Sequence, residues 1–183
     1  MTHPLQKFRY CPVCGSDCFE EQNDRSKRCR QCGFHYYLNA VAAVAGFIVS
    51  ENGGLLLCRR AQEPHKGTFD LTGGFVDIAE TAENAMKREI REELNLEVEM
   101  MKFLFSVPNE YLYSDFVVRT LDLFFLVKIK DFSTLKCSDD VSDAVFVPFK
   151  DIKIEEIGLK SIKIAVEKFL KTYDNINLSV SGI

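Results

Sequence analysis

Apolar residues follow two different periods from residue 40 onward, and these predict alternating strands and helices. Small and β-branched residues fill Ala40–Ser50, and a second apolar run covers Leu55–Arg60. A turn-forming sequence, Glu51-Asn52-Gly53-Gly54, separates the two runs, so they are predicted to form a hairpin. Further strands are predicted at Val98–Val107, Arg119–Ile129 and Val145–Pro148.

Two segments have the spacing of an amphipathic helix. The segment Thr81–Asn95 begins with a suitable N-cap and ends with a residue that tolerates the left-handed conformation. Its apolar positions recur every four residues, at Ala82, Met86, Ile90 and Leu94. A second helix is predicted over Leu159–Tyr173. The order strands, helix, strands, helix predicts an α/β fold with helices packed on a mixed sheet.

The composition of the chain is that of a globular domain. Its 183 residues are 46% hydrophobic and 27% charged, which suits one domain of ordinary size with a small attachment. The formal net charge is −4, so the chain has no excess of basic residues and nucleic acid is not expected as a partner. No apolar run reaches the ~20 residues of a membrane span, and none near the N-terminus suits a secretory signal. These features predict a cytoplasmic protein with no membrane partner.

The N-terminal segment has few aliphatic residues but two CxxC pairs. Cys11-Pro-Val-Cys14 and Cys29-Arg-Gln-Cys32 are separated by fourteen residues. Two such turns can direct four thiolates at one tetrahedral centre, which is the arrangement of structural zinc. Residues 1–38 are therefore predicted to form a zinc ribbon in front of a second domain over residues 39–183.

Other assignments of the cysteines stay open. Disulfides or free thiols would leave no metal site, and Cys18 or His35 could replace one ligand. Residues 1–39 carry six basic and four acidic residues, and this balance of +2 offsets the −2 of zinc bound to four thiolates. Cys58 lies in a predicted strand and is expected to be a small buried hydrophobe.

Three carboxylates of the first predicted helix share one side. At ~100° per residue, Glu89, Glu92 and Glu93 span an arc of ~100° that borders the apolar stripe. Like charges at these spacings repel, so a cation is expected among them. Mg²⁺ takes oxygen ligands and is commonly shared between carboxylates and substrate phosphates. A solvated acidic face with salt bridges along the helix is the alternative.

The sequence Gly73–Leu96, GGFVDIAETAENAMKREIREELNL, resembles the Nudix box, G-x5-E-x7-R-E-U-x-E-E-x-G-U with U aliphatic. Asn95 stands where the family has glycine, and Thr72 stands where a proline is commoner. The resemblance extends over about residues 39–170. The preceding zinc ribbon resembles the subgroup that includes NADH pyrophosphatases. The matching positions are Gly74, Glu80, Arg88, Glu89, Ile90, Glu92, Glu93 and Leu96.

This resemblance implies an α/β/α sandwich around a mixed sheet. It also implies divalent-metal-dependent hydrolysis of a nucleoside diphosphate linked to another group. Arg88 is expected to orient the carboxylates, and Glu80 either completes the metal shell or pairs with Arg88. The implied catalytic residues are Glu80, Arg88, Glu89, Glu92 and Glu93. The implied ligands of Mg²⁺ or Mn²⁺ are Glu89, Glu92, Glu93 and the backbone carbonyl of Gly73.

The general base is less closely specified, because members of this family place it in different elements. Glu93 is the expected base. A carboxylate of the later loop, Asp139 or Asp140, and Glu110 are the alternatives.

Substrate choice is predicted from the segment after the box. NADH pyrophosphatases carry a Ser-Gln-Pro-Trp-Pro-Phe-Pro type sequence there, whereas this chain has Ser106-Val-Pro-Asn-Glu-Tyr111 and no tryptophan. ADP-ribose or a similar ADP-linked compound is therefore expected ahead of NADH. Tyr111, Tyr113 and Glu110 are expected to contact the substrate, although aromatic residues of a sheet also suit its core.

A different class of function is also compatible with the two motifs. The ribbon could be a nucleic-acid or protein-binding module joined to an inactive Nudix domain, but the intact acidic set argues against this. An RNA-end pyrophosphohydrolase would be expected to have a more basic surface. The oligomeric state is left open, a homodimer included.

Overall fold

The computed structural model describes residues 3–113 and 116–180, and it describes side chains for residues 3–112 and 116–173. The contacts of the chain divide it into two compact units. The N-terminal unit consists of Met1–Ala40 with Tyr111–Arg119, and the main unit consists of Val41–Glu110 with Thr120–Ile183.

The N-terminal unit contains a small antiparallel sheet of three strands in the order β1-β2-β3. The strands are β1 (Phe19–Asn23), β2 (Ser26–Cys29) and β3 (His35–Tyr37). Its apolar cluster is small, formed by Cys11, Phe19 and Cys29 with Phe34 packed against them.

The main unit contains two sheets and two helices. One sheet has the order β7-β4-β9-β8, with β4 parallel to β9 and antiparallel to β7, and the other has the order β10-β5-β6. The strands are β4 (Val41–Ile48), β5 (Gly54–Arg60), β6 (Phe69–Asp70), β7 (Thr72–Phe75), β8 (Val98–Tyr113), β9 (Phe116–Ile129) and β10 (Val141–Pro148). The helices are α1 (Ala82–Leu94) and α2 (Lys160–Val180), and short 3-10 turns cover Phe149–Asp151 and Ile154–Glu156.

The predicted hairpin of β4 and β5 is wrong. Each run is a strand, but β4 pairs with β7 and β9, whereas β5 pairs with β10 and β6. At the turn between them, pairing is limited to an isolated bridge from Val49 to Leu55 and a hydrogen bond from the Ser50 N–H to the Gly54 carbonyl. The connection therefore passes from one sheet to the other.

The core of the main unit has two layers, one under each helix. On one side, α1 packs against residues of β4, β5 and β9, including Val44, Leu56 and Phe125. On the other side, α2 packs against alternate residues of the same strands, including Phe47 and Phe124. Because successive side chains of a strand point to opposite faces, each central strand contributes to both layers. This confirms the predicted α/β fold with helices on both faces of the sheets.

Within the described part of the chain, no helix is long and apolar enough to cross a membrane.

Candidate active site and metal centre

Helix α1 forms as its sequence predicts and carries the acidic residues. The side chain of Thr81 accepts a hydrogen bond from the Asn84 N–H at 3.2 Å, and Asn95 closes the helix in the left-handed conformation with φ +53°. The buried face contains Ala85, Met86, Ile90 and Leu94, with Glu93 beside them. Glu93 is thus fixed at the edge of the core.

The acidic side chain of Glu93 is buried at the edge of the hydrophobic core. It is 4% exposed, and its Oε2 accepts hydrogen bonds from the Thr72 hydroxyl at 2.5 Å and the Gly73 N–H at 3.0 Å. Burial raises its pKa to about 8, although these two hydrogen bonds oppose the shift. Both of these hydrogen bonds are accepted by Oε2.

Arg88 forms ion pairs with the remaining carboxylates of the box. Its guanidinium lies 3.0 Å from Glu80, 2.8 Å from Glu89 and 3.1 Å from Glu92. A further N–H of Arg88 donates to the carbonyl of Phe75 at 3.0 Å. The cation expected among the like charges is thus present within the protein, and Glu80 is a partner of Arg88.

Two consecutive glycines in β7 allow the strand to approach its neighbours. Gly73 has φ +149°, and a Cβ there would lie 2.1 Å from the Val44 carbonyl oxygen. At Gly74 a Cβ would lie 2.4 Å from Oε1 of Glu89. The glycines therefore admit the backbone of β4 on one side and the carboxylate of Glu89 on the other.

The chemistry of Glu89, Glu92 and Glu93 fits a hard divalent cation, because all three offer carboxylate oxygens from one side of α1. In this structure Glu89 and Glu92 face Arg88, whereas Glu93 faces Thr72 and Gly73. The side chains would have to share one centre to hold the ion, and the phosphates of a substrate are natural additional ligands.

The four cysteines fit a zinc ion closely. The Sγ atoms of Cys11, Cys14, Cys29 and Cys32 all lie within 4.8 Å of one another, and two of the pairs are 3.6 Å apart. A tetrahedron with Zn–S bonds of ~2.3 Å has S–S edges of about 3.8 Å, in agreement with this cluster. All seven cysteines are free of disulfides. Among the described residues, these cysteines form the one group with three or more ligand atoms this close.

Two residues near Glu93, Arg60 and Asp70, were not singled out by the sequence. A cavity of about 30 Å³ beside Glu93 is lined by Cys58, Arg60, Asp70 and Asp140 among others. Arg60 and Asp70 form a nearly buried ion pair of 2.6 Å. Burial raises the pKa of Asp70, against the opposing effect of Arg60. Cys58 is buried as expected, and Asp140, one of the alternative bases, shares this cavity with Glu93.

The residues expected to contact the substrate lie in the last part of β8. Glu110 is exposed in the main unit, whereas Tyr111 is half-buried and belongs to the N-terminal unit. The side chain of Tyr113 lies outside the described residues. The substrate roles of all three stay predictions.

Comparisons with known proteins agree on one family. A NUDIX domain is recognised over residues 40–168. An ADP-ribose pyrophosphatase of Methanocaldococcus jannaschii is 32% identical over 142 residues, which are 76% of each chain. The NAD-capped RNA hydrolase NudC of Deinococcus radiodurans is 32% identical over 113 residues, which are 60% of this chain but 40% of NudC. The crystal structure of a NUDIX hydrolase from Nitrosomonas europaea superposes with a TM-score of 0.70 at 20% identity, covering 91% of this chain and 93% of that one.

Proposed function

Because this chain belongs to the NUDIX family, we propose that it hydrolyses the pyrophosphate bond of a nucleoside diphosphate linked to a second group. ADP-ribose is the first substrate we propose, since the relative from Methanocaldococcus jannaschii is named for that activity and aligns over three quarters of this chain.

The observation that carries the proposal is the buried carboxyl of Glu93, which the Thr72 hydroxyl and the Gly73 N–H hold beside the glycines of β7. A general base works best when its pKa lies near the working pH, and the buried carboxyl of Glu93 has a pKa of about 8. The Thr72 hydroxyl and the Gly73 N–H donate to Oε2, and Oε1 would take the proton from an attacking water. We therefore assign the role of base to Glu93, with Asp140 of the same cavity as the alternative.

The other residues of the box would bind the metal ion or orient its ligands. Glu89, Glu92 and Glu93 would bind Mg²⁺ or Mn²⁺, with the carbonyl of Gly73 as a further oxygen ligand. A divalent cation bound there would polarise a phosphoryl oxygen and neutralise the charge of the diphosphate. Arg88 orients Glu89 and Glu92 through its planar guanidinium group.

Replacing the carboxylates tests this assignment. Glu92→Gln and Glu93→Gln should each lower kcat for ADP-ribose by roughly 100-fold or more at saturating Mg²⁺, the scale of lost acid–base catalysis. Glu97→Gln is the matched control, because Glu97 is an exposed carboxylate that follows the box and pairs with Arg91. Near-normal kcat in both test variants would contradict the assignment.

Cleavage of NADH is the second candidate activity. It is supported by the similarity to NudC, which concerns less than half of that protein's length. The missing Trp-containing sequence after the box supports ADP-ribose instead. Measuring kcat/KM for ADP-ribose and NADH, with both products identified by mass, decides the order. A higher value for NADH would reverse it.

We also propose that residues 1–38 form a structural zinc ribbon. The four cysteines would fill the coordination of the ion and leave no position for substrate.

A further inference from the structure

Three polar side chains are hydrogen-bonded to one another on the neighbouring strands β8 and β9. Asp122 and Thr120 lie on β9 and are 7% and 4% exposed, and Asn109 lies on the neighbouring strand β8. Asp122 alternates with Leu121 and Leu123, so it points to the same face as Phe124 in the layer under α2. Burying an acidic side chain among apolar residues costs free energy of folding. The presence of Asp122 at this position is therefore not explained by packing alone.

The three side chains form one hydrogen-bonded cluster. Thr120 Oγ1 donates to Asp122 Oδ1 at 2.5 Å, and Asn109 Nδ2 donates to Asp122 Oδ2 at 3.2 Å. The orientation of the Asn109 amide is fixed, because its Oδ1 accepts the N–H of Glu110 at 2.9 Å. A carboxylate has about four acceptor positions, and these bonds fill one on each oxygen. Asp122 therefore has capacity for further hydrogen-bond donors.

The cluster lies in register with β7, the strand that contains Gly73 and Gly74. Asp122 stands beside Ala43 of β4, and Ala43 stands beside Phe75 of β7. The carbonyl of Phe75 accepts a hydrogen bond from Arg88, which holds the carboxylates of the box. At ~4.8 Å per strand, the backbones at Phe75 and Asp122 are about 10 Å apart. This separation matches the reach from a diphosphate to the nucleoside attached to it.

A further sign of proximity comes from Asp70, which lines the cavity beside Glu93. The negative charge of Asp122 is among the causes that raise the pKa of Asp70, after the larger effect of burial. Asp122 on β9 is thus close enough to Asp70 on β6 for the two charges to interact.

We propose that Asp122, held by Thr120 and Asn109, is a specificity-determining residue that accepts a hydrogen bond from the nucleoside part of the substrate. This inference rests on the proposed function and adds the group that is recognised: a donor on the nucleoside, either the exocyclic amino group of adenine or a ribose hydroxyl. A site built to accept a hydrogen bond rejects analogues that lack the donor, since its polar group would be left unpaired.

The test combines changes in the enzyme with changes in the substrate. The variants are Asp122→Asn and Thr120→Val, with Asp143→Asn on β10 as a matched acid-to-amide control. The substrates are ADP-ribose, its inosine analogue without the amino donor, and its 2′-deoxyadenosine analogue without one hydroxyl. Wild-type protein should prefer ADP-ribose over one of the analogues by about tenfold or more in kcat/KM, and that analogue identifies the donor.

In Asp122→Asn, KM for ADP-ribose should rise about tenfold with kcat within about threefold, and the discrimination should disappear. Thr120→Val should show the same changes to a smaller extent, and it carries the test if Asp122→Asn does not fold. Asp143→Asn should match wild type. Folded variants that keep the wild-type KM and discrimination would overturn the proposal and make the cluster a purely structural link between β8 and β9.

Failure of the proposed function would give a different result, because wild type would not hydrolyse ADP-ribose. Calorimetric titration with AMP and Mg²⁺ then measures nucleotide binding at the site without any hydrolysis. AMP binding that is about tenfold weaker in Asp122→Asn supports it, whereas equal affinity or no binding to wild type overturns it.

Discussion

Glu93 is a carboxyl group that folding moves out of water, and its pKa rises from an ordinary 4.5 to about 8. Between these two values the folded state binds more protons than the unfolded state, so the free energy of unfolding falls as pH rises. The contribution is complete below pH 4.5 and is lost as pH rises through 8. This sign is opposite to that of a carboxylate stabilised by a salt bridge.

Stability without added magnesium should therefore depend on Glu93. From pH 5.5 to pH 8, the melting temperature of wild type should fall by roughly 6–12 °C more than that of Glu93→Gln, since each pKa unit corresponds to about 1.4 kcal/mol. Circular dichroism melts at several pH values measure this difference. Parallel curves for the two proteins would show that Glu93 is not protonated in the folded state.

The neighbouring glycines of β7 should respond differently to alanine. At Gly73 the added Cβ meets the Val44 backbone in a conformation that favours glycine, so Gly73→Ala should unfold the main unit or destabilise it by several kcal/mol. At Gly74 the Cβ meets the flexible end of Glu89, which can move. Gly74→Ala should stay folded but lose activity, because the Glu89 carboxylate is displaced. Thermal melts and kcat at a series of Mg²⁺ concentrations separate the two results, and equal stability of the two variants would contradict this account.

At the scale of elements, the end of α1 is held by the segment that follows β9. The last carbonyls of a helix lack partners within it. Here Ser138 N–H donates to the carbonyl of Glu93 at 2.9 Å, the Ser138 hydroxyl donates to that of Glu92, and Lys136 N–H donates to that of Leu94 at 3.0 Å. This segment therefore fixes the turn that carries two of the proposed metal ligands.

Removing the Ser138 hydroxyl should loosen that turn. Ser138→Ala should cost about 1 kcal/mol of stability and raise the Mg²⁺ concentration needed for half-maximal activity, and Ser138→Thr should restore both. Ser133→Ala is the control, because the Ser133 hydroxyl bonds to Asp131 in the same segment and does not touch α1. A Mg²⁺ requirement that is unchanged in Ser138→Ala would restrict the hydroxyl to a stabilising role.

The elements themselves were predictable to different degrees. The bounds of α1 follow from local signals, an N-cap at Thr81 and a left-handed stop at Asn95, and the structure confirms both. The partners of β4 and β5 do not follow from local signals, since a turn sequence says only that the chain reverses. A cue was present, because both runs are apolar at nearly every position, which is typical of strands covered on both faces.

At the scale of the whole molecule, motifs with fixed spacing were predictable and clusters assembled by the fold were not. The box predicted the family, which the recognised domain confirms, and the CxxC pairs predicted the cysteine cluster. Asp70 and Asp122 reach their sites through strand pairing, because Arg60 is 10 residues from Asp70 and Asn109 is 13 residues from Asp122 in sequence. The visible signal at Asp122 was a polar residue alternating with leucines in an apolar strand.

Zinc binding should stabilise the N-terminal unit as a whole. Its apolar cluster contains two of the cysteines and little else, so binding of zinc should supply most of its folding free energy. Cys29→Ser should lose the ion and reduce hydrogen-exchange protection across β1, β2 and β3, while α1 keeps its protection. Cys18→Ser is the matched control, because Cys18 is exposed and lies outside the four-cysteine cluster.

Zinc content measured by mass spectrometry should be one ion per chain in wild type and Cys18→Ser, and well below one in Cys29→Ser. Loss of the ion from Cys18→Ser would move a ligand position to Cys18. Unchanged exchange in zinc-free Cys29→Ser would mean that the sheet β1-β2-β3 is stable by its own packing, which the few buried residues of this unit argue against.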